Sequence, residues 1–153
     1  MNGIRAVYAG SFDPFTKGHL SIVEQSARLF DEVIVGIAVN PDKKRTTDCF
    51  VMKNAMEKQL SHLENVIVVI IDNLVADYCA NVGVGYLIRG LRNTSDYLYE
   101  ENIAKVNREI NPNLKTIYFR AENDAISSTM VKTLIKYGKD ISKFVPEEIR
   151  KIL

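Results

Sequence analysis

The residues best equipped for chemistry lie between Gly10 and His19, in the run Gly-Ser-Phe-Asp-Pro-Phe-Thr-Lys-Gly-His. An apolar stretch over residues 4–9 enters this Gly/Asp/Pro turn. Gly18 and His19 leave it at the start of a helical pattern. A strand-to-helix turn suits phosphate, because a helix N-terminus presents free N–H groups and a partial positive charge. His19 can hydrogen-bond a phosphate oxygen from there; taken alone, it can also cap the helix or pack under it. Ser11 and Thr16 add hydroxyl groups to the same turn.

Further polar groups recur where other apolar strands end. Lys43, Lys44 and Arg45 follow the second strand, whereas the apolar Leu74 and Val75 follow the third. Arg89 and Arg92 follow the fourth, with Tyr99 and Glu100 just inside the next helix. The segment Asn123, Asp124, Ala125, Ile126, Ser127, Ser128 and Thr129 follows the fifth. By itself the 43–45 run reads as a solvated loop. Arg89 comes directly after a buried strand, where an unpaired charge is costly, so a bound anion is its natural partner. Ser127 to Thr129 is a helix cap that can double as an anion site. Tyr99 reads as core, and Glu100 as a first-turn carboxylate with room for a second role. Cations and hydroxyls around one rim suit a site that holds several phosphates and stabilises charge in a transition state.

The elements that must position these groups alternate. Strands are expected over 4–9, 32–39, 66–71, 86–88 and 115–119. Helices are expected over 18–30, from an Asp48 cap to about 63, over 74–82, from Thr94 or Ser95 to 110, and from Ser127 or Ser128 to 137. A short one follows Pro146. In the long helix Tyr99, Ile103, Val106 and Ile110 fall in one helical register. Strand–helix alternation with continuous apolar strands predicts one α/β domain over residues 1–153. Its core is a Rossmann-like, doubly wound, five-stranded parallel sheet with ligands at the carboxyl ends of the strands.

Composition narrows the class. The chain has 153 residues and a net charge of +1, which gives no nucleic-acid footprint and no reason to expect a membrane partner. No run of about 18 apolar residues is available to span a bilayer. Residues 7–9 lead into polar turn residues rather than a cleavage site, so the protein is expected in the cytoplasm. Cys49 and Cys79 are isolated and read as reduced thiols. The G-x-x-x-x-G-K-[ST] and G-x-S-x-G patterns are absent, as is a G-x-G-x-x-G after the first strand.

Gly10-Ser11-Phe12-Asp13-Pro14 with Thr16-Lys17-Gly18-His19 resembles the first signature of the nucleotidyl transferase superfamily. Ile126-Ser127-Ser128-Thr129 resembles its second phosphate motif. Ile88-Arg89-Gly90-Leu91-Arg92, followed by Asp96-Tyr97-Leu98-Tyr99-Glu100, is similar to the phosphopantetheine adenylyltransferases in particular. The resemblance implies transfer of an adenylyl group from ATP, accompanied by Mg²⁺, to 4′-phosphopantetheine, giving dephospho-coenzyme A and pyrophosphate. It also implies a homohexamer, with coenzyme A as feedback inhibitor.

By position, His19, Lys43 and Arg92 would be catalytic, and Lys43, Val75 and Arg89 would hold phosphopantetheine. Ser11 would touch both substrates. Phe12, His19, Gly90, Leu91, Arg92, Glu100 and the Asn123–Thr129 segment would contact ATP. Ala9, Ser11, Phe50-Val51-Met52-Lys53-Asn54 and Asn123-Asp124-Ala125 depart from the commoner family residues. Two other functions fit the scaffold: an adenylyltransferase with another acceptor, such as nicotinate mononucleotide, and a non-catalytic nucleotide or coenzyme A sensor. The 88–100 segment speaks against the first. The joint presence of His19, Lys43 and Arg92 speaks against the second.

Overall fold

A computed structural model describes residues 3–122 and 126–153. Strands and helices alternate along the chain. They are β1 (Arg5–Gly10), α1 (Lys17–Leu29), β2 (Glu32–Ala38), α2 (Cys49–Gln59), β3 (Val66–Ile71), α3 (Val75–Val82), β4 (Tyr86–Leu91), α4 (Thr94–Ile110), β5 (Lys115–Arg120), α5 (Ser128–Lys136) and α6 (Glu147–Arg150). The strands form one parallel sheet, as the alternation predicts, and their order in it is β3-β2-β1-β4-β5.

Both faces of the central strands are covered, which is why β1 and β2 are apolar and buried between their ends. Ala6, Tyr8, Val33, Val35 and Ile37 point to one face and pack with Ile22 and Val23 of α1, Met52 and Met56 of α2, Val131 of α5 and Ile149 of α6. Val7, Ala9, Ile34 and Leu87 point to the other and pack with Ala76 and Cys79 of α3. Among the described residues no helix is long and apolar enough to cross a membrane.

β4 does not stop at Ile88. It continues through Arg89, Gly90 and Leu91, each in register with β5. Gly90 leaves room there: a Cβ would come 2.5 Å from Cδ1 of Ile22 on α1, and the tip of that side chain would have to shift. The cap of α4 is Asn93, whose side chain accepts from the Asp96 N–H at 2.9 Å, and not Thr94 or Ser95. The C-terminal turn starts with Pro146 at its cap position.

The long helix presents a different face from the one its periodicity suggests. Tyr99, Val106 and Ile110 are exposed, and Tyr99 is therefore not core. Glu100 and Ala104 are the buried residues of α4. Periodicity locates an apolar stripe but not what it faces. Here α4 lies against α3 and the β4–β5 edge with the Glu100–Ala104 side inward, which leaves the apolar stripe outward.

Candidate active site

Strand order reverses between β1 and β4, because the chain winds one way to β3 and then crosses back to β4. In an open α/β sheet such a switch point leaves a crevice beyond the strand ends. β1 pairs with β2 along all of Arg5–Gly10, but with β4 only at Val7–Leu87 and Tyr8–Ile88. A cleft of about 340 Å³ opens just past that point.

Most of the predicted site residues meet in this cleft. Ser11, Phe12 and His19 line it from the β1–α1 turn, and Arg89, Gly90, Leu91, Arg92 and Glu100 from β4 and α4. Ile126, Ser127 and Ser128 line it at the start of α5. Thr129 is exposed on α5 and does not line it. Lys43, on the exposed β2–α2 loop, does not reach it, nor does Val75, which packs against the α3-side core. Asn123, Asp124 and Ala125 lie outside the described residues. Tyr8, Thr16 and Asp96 line the cleft as well, and Tyr99 stands exposed at its α4 side. The sequence signals for the first three are the alternation of Tyr8 with Ala6, the T-x-x-H spacing, and the i,i+4 spacing of Arg92 and Asp96.

His19 is oriented by its own helix start. Thr16 caps α1, its hydroxyl accepting from the His19 N–H at 3.3 Å. The Thr16 backbone N–H donates to His19 Nδ1 at 3.0 Å. A backbone amide can only donate, so Nδ1 accepts, and the neutral ring carries its proton on Nε2. The ring is wedged among Phe12, Phe15 and Tyr8, with the Phe12 centroid 5.0 Å away at 85°. Burial, then the positive charges of Arg92 and Arg89, push its pKa down to about 4. At neutral pH His19 is therefore an uncharged Nε2–H donor.

Arg89 does not wait for an anion. Its Nε and Nη2 donate to the two carboxylate oxygens of Glu100 at 2.8 and 2.9 Å, a bidentate pair, and Nη1 donates to the Ala9 carbonyl at 2.9 Å. The eleven-residue separation hid this partner, because it requires a strand end and a helix turn to be brought together. Burial opposes the Arg89 charge, but the Glu100 hydrogen bonds and charge more than offset it, so its pKa moves up. Three of its five N–H groups are used, which leaves two for a ligand. Arg92 is held by Asp96, through Nε at 3.2 Å and through its backbone N–H at 3.0 Å. Burial raises the pKa of Tyr8, so its hydroxyl keeps its proton.

At the start of α5, the Ser127 side chain accepts from the Met130 N–H at 3.1 Å, which makes it the cap. The Ser128 hydroxyl donates to the Pro14 carbonyl at 2.7 Å and ties α5 to the β1–α1 turn. The cleft thus combines a neutral imidazole donor, two arginines, hydroxyls and a helix N-terminus. Such an assembly binds phosphates and stabilises charge on them; the carboxylates among its described lining residues, Asp96 and Glu100, are engaged by Arg92 and Arg89.

This fold and cleft are those of a nucleotidyl transferase. A family model described as cytidylyltransferase-like matches residues 7–134. Phosphopantetheine adenylyltransferases from Streptococcus pneumoniae strains Taiwan19F-14 and JJA are each 45% identical over 146 residues, covering 94% of this chain and 90% of theirs. The chain belongs to the phosphopantetheine adenylyltransferase family. A solved Vibrio parahaemolyticus structure assigned as a nicotinate-nucleotide adenylyltransferase shares the fold, with a TM-score of 0.73 at 18% identity over 99% of this chain and 92% of that one. A lipopolysaccharide core biosynthesis protein from Thermoplasma volcanium is similar with a TM-score of 0.57, at 19% identity over 80% of this chain and 98% of that one.

Two outcomes follow from these contacts. His19 binds fewer protons folded than unfolded between about pH 6.5 and about pH 4. Stability therefore falls as pH drops through that window, and His19→Gln flattens the slope; urea midpoints measured across the window check this. Glu100→Ala leaves the Arg89 guanidinium buried without its partner and lowers unfolding free energy by about 3–5 kcal/mol. Glu100→Gln, which keeps an acceptor, costs less. An unchanged urea midpoint for Glu100→Ala refutes the role given to the pair.

Proposed function

We propose that this adenylyltransferase joins the adenylyl group of ATP to the phosphate of 4′-phosphopantetheine. Dephospho-coenzyme A and pyrophosphate are the products. The carrying observation is that His19, Arg89 and Arg92 converge on one cleft at the β1–β4 switch point of a chain 45% identical to named phosphopantetheine adenylyltransferases.

The acceptor phosphate is anionic near neutral pH and needs no strong general base. One of its oxygens attacks the α-phosphorus, a new P–O bond forms, and the bond to the bridging oxygen of the β-phosphate breaks. The electron pair leaves with pyrophosphate. The barrier comes from bringing two anions into line, so catalysis is positioning plus charge stabilisation without a covalent enzyme intermediate. His19, uncharged with its proton on Nε2, donates to the phosphates without itself being deprotonated. Arg92 neutralises developing charge. The two spare N–H groups of Arg89 and the Ser11 hydroxyl serve the acceptor side.

Among the described residues no cluster of three or more His, Cys, Asp and Glu side chains could hold a metal ion. Magnesium would come in on the ATP phosphates and offset their charge. Lys43 and Val75 would reach phosphopantetheine as it extends from the cleft toward α2 and α3, and Asn123–Ala125 would complete the nucleotide side. Coenzyme A, which contains the product, would compete for the same cleft as a feedback inhibitor, in the cytoplasm. A homohexamer would need apolar contact faces between copies, and α4 offers one where Leu98 and Val106 are each more than half exposed.

Pyrophosphate release from Mg-ATP with phosphopantetheine, with nicotinate mononucleotide and CTP in parallel, tests the reaction. Turnover is expected only with ATP and phosphopantetheine, and none from folded protein refutes it. His19→Ala should lower kcat about 10²–10³-fold with the fold intact. For the assembly, sedimentation should give six copies, and Leu98→Glu with Val106→Glu should release smaller species. A monomer at micromolar concentration rejects the hexamer.

A further inference from the structure

Three basic residues stand side by side at 43–45, and only two face solvent. Lys43 and Lys44 are exposed, whereas the Arg45 side chain is 15% exposed. Its guanidinium donates from Nη1 to the Ser11 carbonyl at 2.5 Å and from Nη2 to the Phe12 carbonyl at 3.2 Å. Nε donates to the Thr47 carbonyl at 2.9 Å, which braces the arginine on its own loop. Bonds also run the other way. Buried Asp13 accepts from the Thr46 and Thr47 N–H groups at 2.8 and 3.0 Å, one on each carboxylate oxygen. Arg45 Nη2 lies 3.9 Å from Asp13, and Lys132 Nζ 3.8 Å from it. The 45–47 segment and the 11–13 turn are thereby clamped in both directions.

The clamp closes around strained backbone. Phe12 has φ of +45°, a left-handed conformation rare outside glycine. Such a residue costs about 1–3 kcal/mol and persists only where its surroundings over-determine it. The Ser11 and Phe12 carbonyls belong to the two peptide planes that flank the strained Cα. One guanidinium therefore holds both planes. The Phe12 ring is buried and rests edge-on against His19. A shift of this turn would move Ser11, the Phe12 ring and the His19 imidazole together.

We propose that Arg45 is a positioning residue for adenylyl transfer, fixing the Ser11–Phe12 turn that aligns His19 and coupling it to the loop that carries Lys43. This rests on the adenylyltransferase assignment above. Arg45 itself touches no substrate; it acts through the turn. Lysine cannot replace it, because a single ammonium on a flexible stem lacks the planar fork that spans two carbonyls.

The test uses the full chain with Arg45→Met and Arg45→Lys. It measures kcat and KM for each substrate, urea stability, and hydrogen exchange of the Thr46 and Thr47 amides. For Arg45→Met the expectation is a folded protein whose kcat falls about 10²-fold, the scale of a misplacement near 1 Å. KM for ATP should move much less. Arg45→Lys should recover only a small part of kcat, and the Thr46 and Thr47 amides should exchange faster in both variants. Normal kcat in the folded fraction, with only a lower urea midpoint, overturns the proposal. Full recovery by lysine also overturns it. If Arg45→Met does not fold, Arg45→Lys decides by the same criteria. If the unmodified protein turns over no phosphopantetheine, the substrate assignment has failed. Amide exchange then decides on Arg45 alone, and unchanged exchange at Thr46 and Thr47 overturns its hold on the turn.

Discussion

The parting of β1 from β4 is the constraint on which the site depends. The strands pair only at Val7–Leu87 and Tyr8–Ile88, yet both run on, to Gly10 and Leu91. Backbone groups exposed by that separation need partners, since buried peptide groups are expensive to leave unmet. The Arg89 side chain supplies one, donating to the Ala9 carbonyl across the gap. Glu100 then fixes the guanidinium from the α4 side. The opening is thus held at a set width by a side chain rather than by a ladder, and the cleft lies inside it. Gly90 extends the same logic: lacking a Cβ, it lets β4 pass Ile22 of α1 at close quarters.

Both arginines of the cleft come already paired, but the two pairs are not equal. Arg89 and Glu100 are largely buried and bidentate, and separating them would strand a charge. Arg92 and Asp96 are an i,i+4 pair with the arginine side chain 48% exposed, a class worth about 0–1 kcal/mol. A phosphate entering the cleft can draw Arg92 away from Asp96 at little cost, whereas Arg89 is reached only through its two spare N–H groups. In the reaction proposed above, that difference would divide labour: Arg89 would be a fixed donor, and Arg92 a charge able to follow the transferring phosphorus. A neutral His19 beside them adds a donor without adding repulsion.

How much of this was legible in the sequence depended on reach along the chain. Thr16 and His19 lie within one helical turn and were each picked out in the sequence, but the cap that joins them was not. The parallel sheet followed from alternation and unbroken apolar strands. Arg89 and Glu100 were each picked out, but their pairing needed the extension of β4 and the rotation of α4, which periodicity does not supply. Arg45 shared its charge with Lys43 and Lys44, and nothing local set it apart; only tertiary placement turned it toward the Ser11–Phe12 turn. At the start of α4, Asn93, Thr94 and Ser95 are all competent caps, and the extended backbone at Asn93 decided among them.

α4 shows why misreading its face matters for function. The helix sends Glu100 inward to Arg89, sets Tyr99 at the cleft, and leaves Leu98 and Val106 outward. A helix so divided is held to its own sheet on one side by a buried ion pair and a small residue, Ala104, with little apolar burial of its own. Its packing onto the sheet would then gain from whatever covers the outer stripe, since most helical stability in proteins comes from burying an apolar face. In the assembly proposed above, a second copy would supply that cover. Holding α4 from outside would steady Glu100, and through Glu100 the guanidinium that spans β1 and β4. Assembly and cleft geometry would thus be linked through one helix, because its sequence divides apolar contact and charge between opposite faces.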